Sequence, residues 1–154
     1  MSKVLMFASC EAIAQSAEVL AISSVSVDAL ATLMVDAYQG TVDWDEGDDA
    51  EVAALEIRAT IAGEYGSFID SASGIVLGKF GQPVSALFAS NFDGRATILF
   101  VFTSKSASGL GYATKLIGNA AHEMAQMGIK EVFLYVSPSN PARRLYEHLG
   151  FSEK

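Results

Sequence analysis

The sequence predicts an α/β fold, to which strands and helices both contribute, and three observations support this. A strand, a glycine-rich loop and an amphipathic helix follow one another between residues 96 and 127. Two further helices are predicted earlier, each from a capping residue followed by periodic apolar positions. Between them and the glycine-rich loop, residues 75–103 contain three apolar runs separated by turn formers, which is typical of a meander of strands.

The first part of the chain is predicted to contain two short strands and two helices. The strands are assigned to residues 4–8 and 19–23, and the segment that joins them to residues 11–17. The first helix runs to residue 38 from an N-cap at Ser26 or Asp28, and Gly40 ends it. The second helix runs to about residue 62 from an N-cap at Asp48 or Asp49.

The second part begins with a loop of turn formers and continues with the meander. The loop is assigned to residues 67–74, and the three strands of the meander to residues 75–80, 84–90 and 95–103. The final strand is assigned to residues 131–136 and the final helix to residues 141–148. Asp93-Gly94 is a strong two-residue hairpin signal. The strand at 95–103 is apolar on both faces, so we expect it to be buried on both. The helix at 112–127 has one apolar face.

Composition narrows the class of protein. The chain has 154 residues, of which 51% are hydrophobic and 18% charged, which suits one folded domain over residues 1–154 and excludes a disordered chain. No apolar run is long enough to span a membrane, and the apolar start at residues 4–8 is too short for an export signal, so we expect a cytoplasmic protein. Cys10 has no partner for a disulfide, and no Cys/His cluster has metal-ligand spacing.

Charge is distributed unevenly along the chain. Residues 1–70 contain 13 acidic against 2 basic residues, a balance of −11, whereas residues 71–154 contain 5 against 8, a balance of +3. The basic part suits an anionic ligand, and the acidic part either attracts a cationic one or keeps the protein soluble. No basic stripe with interleaved aromatic residues is present, so nucleic acid is not expected as a partner.

Two motifs resemble those of the GNAT superfamily of acyl-CoA-dependent N-acetyltransferases. The first is Ser106-Ala-Ser-Gly-Leu-Gly111, which is similar to the family's Arg/Gln-x-x-Gly-x-Gly/Ala loop. The second is the ending from Asn140 through Leu145-Tyr146 to Gly150-Phe151, which is similar to the family's Asn-x-x-Ala-x-x-Leu-Tyr-x-x-x-Gly-Phe. The resemblance implies the GNAT fold, with a mixed, mostly antiparallel sheet and helices on both faces, and a truncated C-terminal strand.

The resemblance also implies a cofactor, acetyl-CoA, and the residues that hold it. Glycine loops at helix N-termini bind phosphate through backbone amides, which here involves Ser106, Ala107, Ser108, Gly109, Leu110 and Gly111. Ser106 stands where the family has Arg or Gln, so we expect weaker affinity for coenzyme A, with Lys105 available to supply charge. Backbone amides near Phe102 and Thr103 would polarise the thioester carbonyl.

Two further residues match positions in the second motif. Tyr146 corresponds to the family's general-acid tyrosine, which protonates the leaving thiolate; packing against the sheet is the alternative role. Asn140 corresponds to a contact with the pantetheine arm, and it also precedes Pro141 as an N-cap of the last helix.

The base that deprotonates the amine is not evident, because the strand at 96–102 contains no acid. Candidates are the acids and the tyrosine of the early loops, namely Asp43, Asp45, Glu46, Glu64 and Tyr65. Tyr38 and Trp44 are candidates for the walls of the acceptor pocket, although large aromatic residues more often belong to the core.

The resulting prediction is an N-acetyltransferase that moves an acetyl group from acetyl-CoA to a primary amine of a small molecule or peptide. The alternatives are a non-catalytic acyl-CoA sensor and an interaction subunit. Members of the family usually continue beyond the second motif, so the last strand is either truncated or supplied by a partner subunit, as in a homodimer.

Overall fold

The computed structural model describes residues 3–13, 18–43, 45 and 47–154. The helices of this part are α1 (Val27–Tyr38), α2 (Ala50–Ile61), α3 (Tyr112–Gln126) and α4 (Ala142–His148). The strands are β1 (Val4–Ser9), β2 (Ser67–Phe68), β3 (Gly74–Leu77), β4 (Pro83–Phe92), β5 (Arg95–Thr103), β6 (Glu131–Val136) and β7 (Ser152–Glu153).

The described strands form one seven-stranded sheet in the order β2-β4-β5-β6-β1-β7, with β3 also paired to β4. Every pairing is antiparallel except that of β5 with β6, which is parallel. The mixed, mostly antiparallel sheet predicted from the sequence is therefore confirmed.

Helices cover both faces of this sheet, as the alternation along β4 shows. Ala86 and Phe88 belong to the apolar cluster that includes α1 and α2, whereas Leu87 and Ala89 belong to the cluster that includes α3. Successive side chains of a strand point to opposite faces, so the two clusters lie on opposite sides of the sheet. The sheet is thus the middle layer between α1 and α2 on one side and α3 on the other.

The caps of the first two helices resolve alternatives that the sequence left open. Ser26 Oγ accepts a hydrogen bond from the amide of Ala29 at 3.1 Å, and Asp49 Oδ1 accepts one from Val52 at 3.0 Å. Each bond satisfies one of the amides that a helix leaves free at its start. Ser26 and Asp49, rather than Asp28 and Asp48, are therefore the N-caps.

The two parallel strands separate soon after they pair. Their register joins only Thr97 with Phe133 and Ile98 with Leu134. On its other side β5 pairs with β4, where the register shifts so that Leu99 is skipped between Ile98 and Phe100. Such a bulge bends a strand locally. From the bulge onward, residues 99–101 are only half-buried. The expected burial on both faces therefore holds for residues 96–98 and not for the rest of the strand.

Several short elements differ from the sequence-based assignment. Residues 19–23 do not form a strand: Leu20 makes a single bridge to Ile75, and Ile22–Ser24 is a 3-10 turn. The expected loop at 67–74 contains β2 and the 3-10 turn Asp70–Ala72. Neither segment is long enough to have the periodic apolar pattern from which an element is predicted.

The first strand fills the place beside β6. β1 pairs antiparallel with β6 over six residue pairs, from Val4 with Val136 to Ser9 with Glu131. β7 pairs with the far side of β1. Within the sheet, β6 therefore lies between β5 and β1. No helix among the described residues is long and apolar enough to cross a membrane.

The position of β1 inside the sheet leads to a prediction about stability. Met6 is 1% exposed, and truncation of a buried methionine leaves a cavity that costs about 2–5 kcal/mol. Met6→Ala should lower the free energy of unfolding by that amount in urea denaturation. Leu5→Ala is the matched control, because Leu5 on the same strand is half-buried and should lose clearly less. Equal losses would mean that β1 does not pack as an inner strand.

Candidate active site

A cavity of about 940 Å³ opens where β5 and β6 separate. Its walls come from the loop after α1, the start of α2, the second half of β5, the end of β6 and helix α4. Of the site residues predicted from the sequence, Phe102, Thr103, Ser108, Asn140 and Tyr146 line it. Ligand sites of open α/β sheets often lie at the carboxyl ends of parallel strands, and this cavity lies at those ends of β5 and β6.

The edge of β5 that faces the cavity has free backbone groups. The amide of Ser104 donates to Val84 of β4 at 2.8 Å. Amides alternate between the two sides of a strand, so the amide of Phe102 also points toward β4 and those of Val101 and Thr103 point away from it. The carbonyl of Val101 accepts a bond from the Tyr38 hydroxyl at 3.4 Å. Of the two expected donors, Thr103 rather than Phe102 therefore presents its amide to the cavity, and Val101 is a further donor that was not predicted.

The glycine-rich loop uses some of its amides internally and leaves others free. Ala107 donates to Ser104 at 2.9 Å and Ser108 to Lys105 at 3.3 Å, so neither backbone amide is available to a ligand. The amides of Gly109, Leu110 and Gly111 have no partner among the described residues. Gly109 and Gly111 have φ of +79° and +85°, a conformation that favours glycine.

These free amides continue into the first turn of α3. A helix leaves its first amides unbonded, and its dipole places partial positive charge there. Gly111 is the N-cap of α3, with Tyr112 as the first helical residue. Together, Gly109 to Gly111 and the start of α3 form a surface that can bind an anion. The amides of Ala107 and Ser108 are not part of this surface, because they are bonded within the loop.

The charge expected from Lys105 is directed elsewhere. Its ammonium donates to the carbonyl of Gln39, and its amide donates to Asp36 Oδ2 at 3.0 Å. Lys105 therefore stabilises the C-terminal end of α1, where a cation is favoured. Ser106 is exposed and its hydroxyl pairs with that of Ser104 at 3.0 Å. The groups of this loop that can bind an anion are therefore mainly backbone amides and serine hydroxyls.

Tyr146 places a phenol in the cavity. The residue is 8% exposed and packs against Phe151, with the ring centres 6.0 Å apart. Its hydroxyl has no protein partner, and among the described residues no fully buried side-chain oxygen or nitrogen lacks one, so the hydroxyl reaches the open cavity. Burial, and then the nearby charge of Asp43, raise the pKa of Tyr146 from 10.0 to about 12. The phenol is therefore protonated at neutral pH.

Asp43 is held by two side chains from the turn between β6 and α4. Ser137 Oγ donates to Asp43 Oδ1 at 2.7 Å, and Asn140 Nδ2 donates to Asp43 Oδ2 at 2.7 Å. Asn140 Oδ1 also accepts from the amide of Ala142, the first residue of α4, at 2.9 Å, but the N-cap of α4 is Pro141 and not Asn140 as predicted, because the helix begins one residue later than expected. Ser137 was not predicted; its position directly after an apolar strand parallel to β5 was the signal that could have identified it.

The remaining candidates for the base lie in different places. Asp45, Asp48 and Glu56 line the cavity with Asp43. The basic residue among the described lining residues is Lys3. Glu64 and Tyr65 do not line it, and the carbonyl of Tyr65 instead accepts from Ser90 at 2.8 Å. Tyr38 is part of the wall, whereas Trp44 and Glu46 lie outside the described residues.

Burial also acts on Tyr38. It raises the pKa of this residue, with smaller contributions in the same direction from Tyr146 and Asp43. The phenol of Tyr38 is therefore also protonated at neutral pH, which suits its bond to the Val101 carbonyl. No group of three or more His, Cys, Asp or Glu side chains that could hold a metal ion occurs within the described part of the chain.

Comparison with known proteins agrees with the architecture. Residues 27–151 match the sequence profile of the acetyltransferase (GNAT) family. No curated protein matches the chain.

Solved structures with the same fold include two from bacteria and one from a trypanosome. A GCN5-related N-acetyltransferase from Sphaerobacter thermophilus has a TM-score of 0.72 and 16% identity, and the match covers 99% of this chain and 49% of that chain. A GNAT-family acetyltransferase from Colwellia psychrerythraea has a TM-score of 0.74 and 16% identity, and the match covers 99% of this chain and 53% of that chain. A Trypanosoma brucei acetyltransferase has a TM-score of 0.58 and 19% identity, and the match covers 88% of this chain and 92% of that chain.

At these identities the likeness shows the fold alone. The chain spans about half the length of the two bacterial structures.

The buried environment of Tyr146 predicts that its phenol loses its proton at a higher pH than an ordinary tyrosine. Because the folded state holds the phenol proton to about pH 12 and the unfolded chain releases it near pH 10, stability should fall as pH rises between these values. Absorbance of tyrosinate should show a component that titrates above pH 11, and Tyr146→Phe should reduce it. Tyr135→Phe is the control, because Tyr135 is 39% exposed. An unchanged late component in Tyr146→Phe would contradict the assignment.

Proposed function

Because the chain belongs to the GNAT acetyltransferase family, we propose that it transfers an acetyl group from acetyl-CoA to a primary amine of a small molecule or peptide. The observation that carries the proposal is the Tyr146 hydroxyl, which has no hydrogen-bond partner among the described residues and opens into the cavity between β5 and β6. A buried phenol that stays protonated is the group that a leaving thiolate needs.

The residues present fit an acyl-CoA donor. The free amides of Gly109, Leu110 and Gly111 and the first turn of α3 would hold the pyrophosphate. The free edge of β5 at Val101 and Thr103 would align the pantetheine arm and place an amide near the thioester carbonyl. Phe102, Ser106, Ala107, Ser108 and Asn140 stay predicted contacts. When bound, acetyl-CoA supplies an acetyl group activated as a thioester.

Each group of the chain then has a defined task. The amides of β5 orient the donor and stabilise negative charge on its carbonyl oxygen. Tyr146 holds a proton on its hydroxyl and gives it to the sulfur as the carbon–sulfur bond breaks. The apolar wall around Phe102 and Tyr38 excludes water from the cavity. Charge supports a cationic acceptor, because Asp43, Asp45, Asp48 and Glu56 line the same cavity.

One observation favours a second candidate, a non-catalytic acyl-CoA sensor. Ser106 has a short side chain and Lys105 is bound to Gln39, so the loop has no cationic side chain to grip the cofactor. Calorimetry with acetyl-CoA tests both functions against an interaction subunit, for which no binding is expected. Release of free thiol in the presence of primary amines then separates the enzyme from the sensor.

We also propose that residues 1–154 form one acetyltransferase domain, because β1 and β7 complete the same sheet as the elements between them. A cytoplasmic location and a homodimer stay predictions.

The role of Tyr146 is tested by removing only its hydroxyl. Tyr146→Phe should lower kcat by about 10²-fold or more, the usual scale of general acid catalysis, with little change in the affinity for acetyl-CoA. Thiol release and calorimetry provide the two measurements. Tyr65→Phe, at a residue that does not line the cavity, is a control that should retain activity. An unchanged kcat in Tyr146→Phe would reduce Tyr146 to a packing residue.

The loop is best tested at Ser106, because Gly111 has positive φ and Gly111→Val would strain the backbone as well as any ligand contact. Ser106→Arg should tighten binding of coenzyme A and make it more sensitive to salt, since exposed charges are screened beyond about 8–10 Å at physiological ionic strength. Ser71→Arg is the control, because exposed Ser71 contacts Met127 beyond the other end of α3. Equal effects of the two variants would argue against anion binding at the loop.

A further inference from the structure

We propose that Asp43 is the general base of the reaction and that Ser137 and Asn140 are the residues that position it. This inference rests on the proposed function, and nothing in the sequence singled out Asp43 from the other acids. The structure does so through contacts: both carboxylate oxygens of Asp43 are bonded to side chains that belong to the turn before α4.

The hydrogen bonds fix the carboxylate in the cavity. Both are 2.7 Å long, as expected for bonds to a charged acceptor, which are shorter and stronger than neutral ones. A carboxylate can accept about four hydrogen bonds, so two sites remain for a substrate or a water molecule. Asp43 is half-buried, whereas Asp45 is exposed. Asp43 is therefore an ordered acceptor in the cavity that Tyr146 shares.

A single structural unit places the base and the acid. Ser137 follows β6, Asn140 ends the turn that starts at Ser137, and Tyr146 lies on the helix whose first amide donates to Asn140 Oδ1. The bond from Asn140 Nδ2 to Asp43 joins this unit to the loop after α1. The charge of Asp43 contributes to the raised pKa of Tyr146, which agrees with their closeness. Since the strand at 96–102 contains no acid, Asp43 provides the carboxylate that the sheet lacks.

The two groups together balance the protons of the reaction. The neutral amine attacks the carbonyl carbon, forming the carbon–nitrogen bond, and its surplus proton passes to Asp43, directly or through a water molecule. The carbon–sulfur bond breaks, and the thiolate takes the proton of Tyr146. The enzyme then holds a protonated Asp43 and an ionised Tyr146, and transfer of one proton from Asp43 to Tyr146 restores the starting state.

The pH dependence has to be interpreted with the other charges around Asp43. Tyr38 and Tyr146 face it from α1 and α4, and Lys3, Asp45, Asp48 and Glu56 line the same cavity. A base must be ionised to act, so kcat/KM should fall at low pH. Ser137 donates to Asp43 Oδ1, so its removal should leave the carboxylate less well positioned and lower kcat with little change in KM.

The experiment compares three variants in a thiol-release assay with acetyl-CoA and with tyramine, spermidine or a lysine-containing peptide as acceptor. Asp43→Asn should lower kcat by about 10²-fold or more and abolish the acid limb, with little change in the affinity for acetyl-CoA. Asp93→Asn is the matched control, because Asp93 is exposed in the hairpin between β4 and β5 and does not line the cavity; it should keep both the rate and the limb. Ser137→Ala should retain part of the activity, with the loss in kcat and little change in KM.

The outcomes separate the inference from the function on which it rests. If Asp43→Asn keeps its rate and acid limb while Tyr146→Phe loses activity, the inference is overturned and the proposed function stands. If Asp43→Asn loses only thermal stability, Asp43 is a structural link and the inference is again overturned. If the wild-type protein binds acetyl-CoA but releases no thiol with any of the acceptors, both fail.

Discussion

The parallel pairing of β5 and β6 lasts for two residue pairs, and the site depends on its early end. A strand that leaves its neighbour exposes backbone amides and carbonyls, which have to be satisfied in some other way. Here Tyr38 bonds to one carbonyl, and the remaining groups face a cavity of about 940 Å³. The bulge at Leu99 bends β5 where its pairing with β6 ends, so the cavity follows from the path of the strands.

Asp43 connects parts of the chain that are far apart in sequence. Its partners Ser137 and Asn140 are 94 and 97 residues away, and their bonds bring the acidic loop against the turn before α4. Burial, and after it the charge of the same carboxylate, raise the pKa of the Tyr146 phenol. The contact of Asp43 with Ser137 and Asn140 therefore places a carboxylate and a protonated phenol in one cavity.

Charge along the chain acquires a spatial meaning in the fold. The excess of acid in residues 1–70 includes the carboxylates that line the cavity, from Asp43 to Glu56. The anion-binding surface lies instead at the glycine-rich loop and the start of α3, and it consists of amides rather than cationic side chains. Lys105, the nearest cation in sequence, is bound to the end of α1. The two ends of the site thus differ in electrostatic character, which is what the proposed acyl-CoA donor and amine acceptor would require.

The sequence by itself determined the long elements and the family. Arg95–Thr103 and Glu131–Val136 are strands with the predicted bounds, because each is a continuous apolar run between turn formers, and Tyr146 is found in the cavity as its motif implied. Only the tertiary structure decided that β1 lies beside β6, which amides of the loop are free, and which acid enters the site. These depend on contacts between residues distant in sequence and on the direction of single backbone groups, for which local patterns of residue type contain no signal.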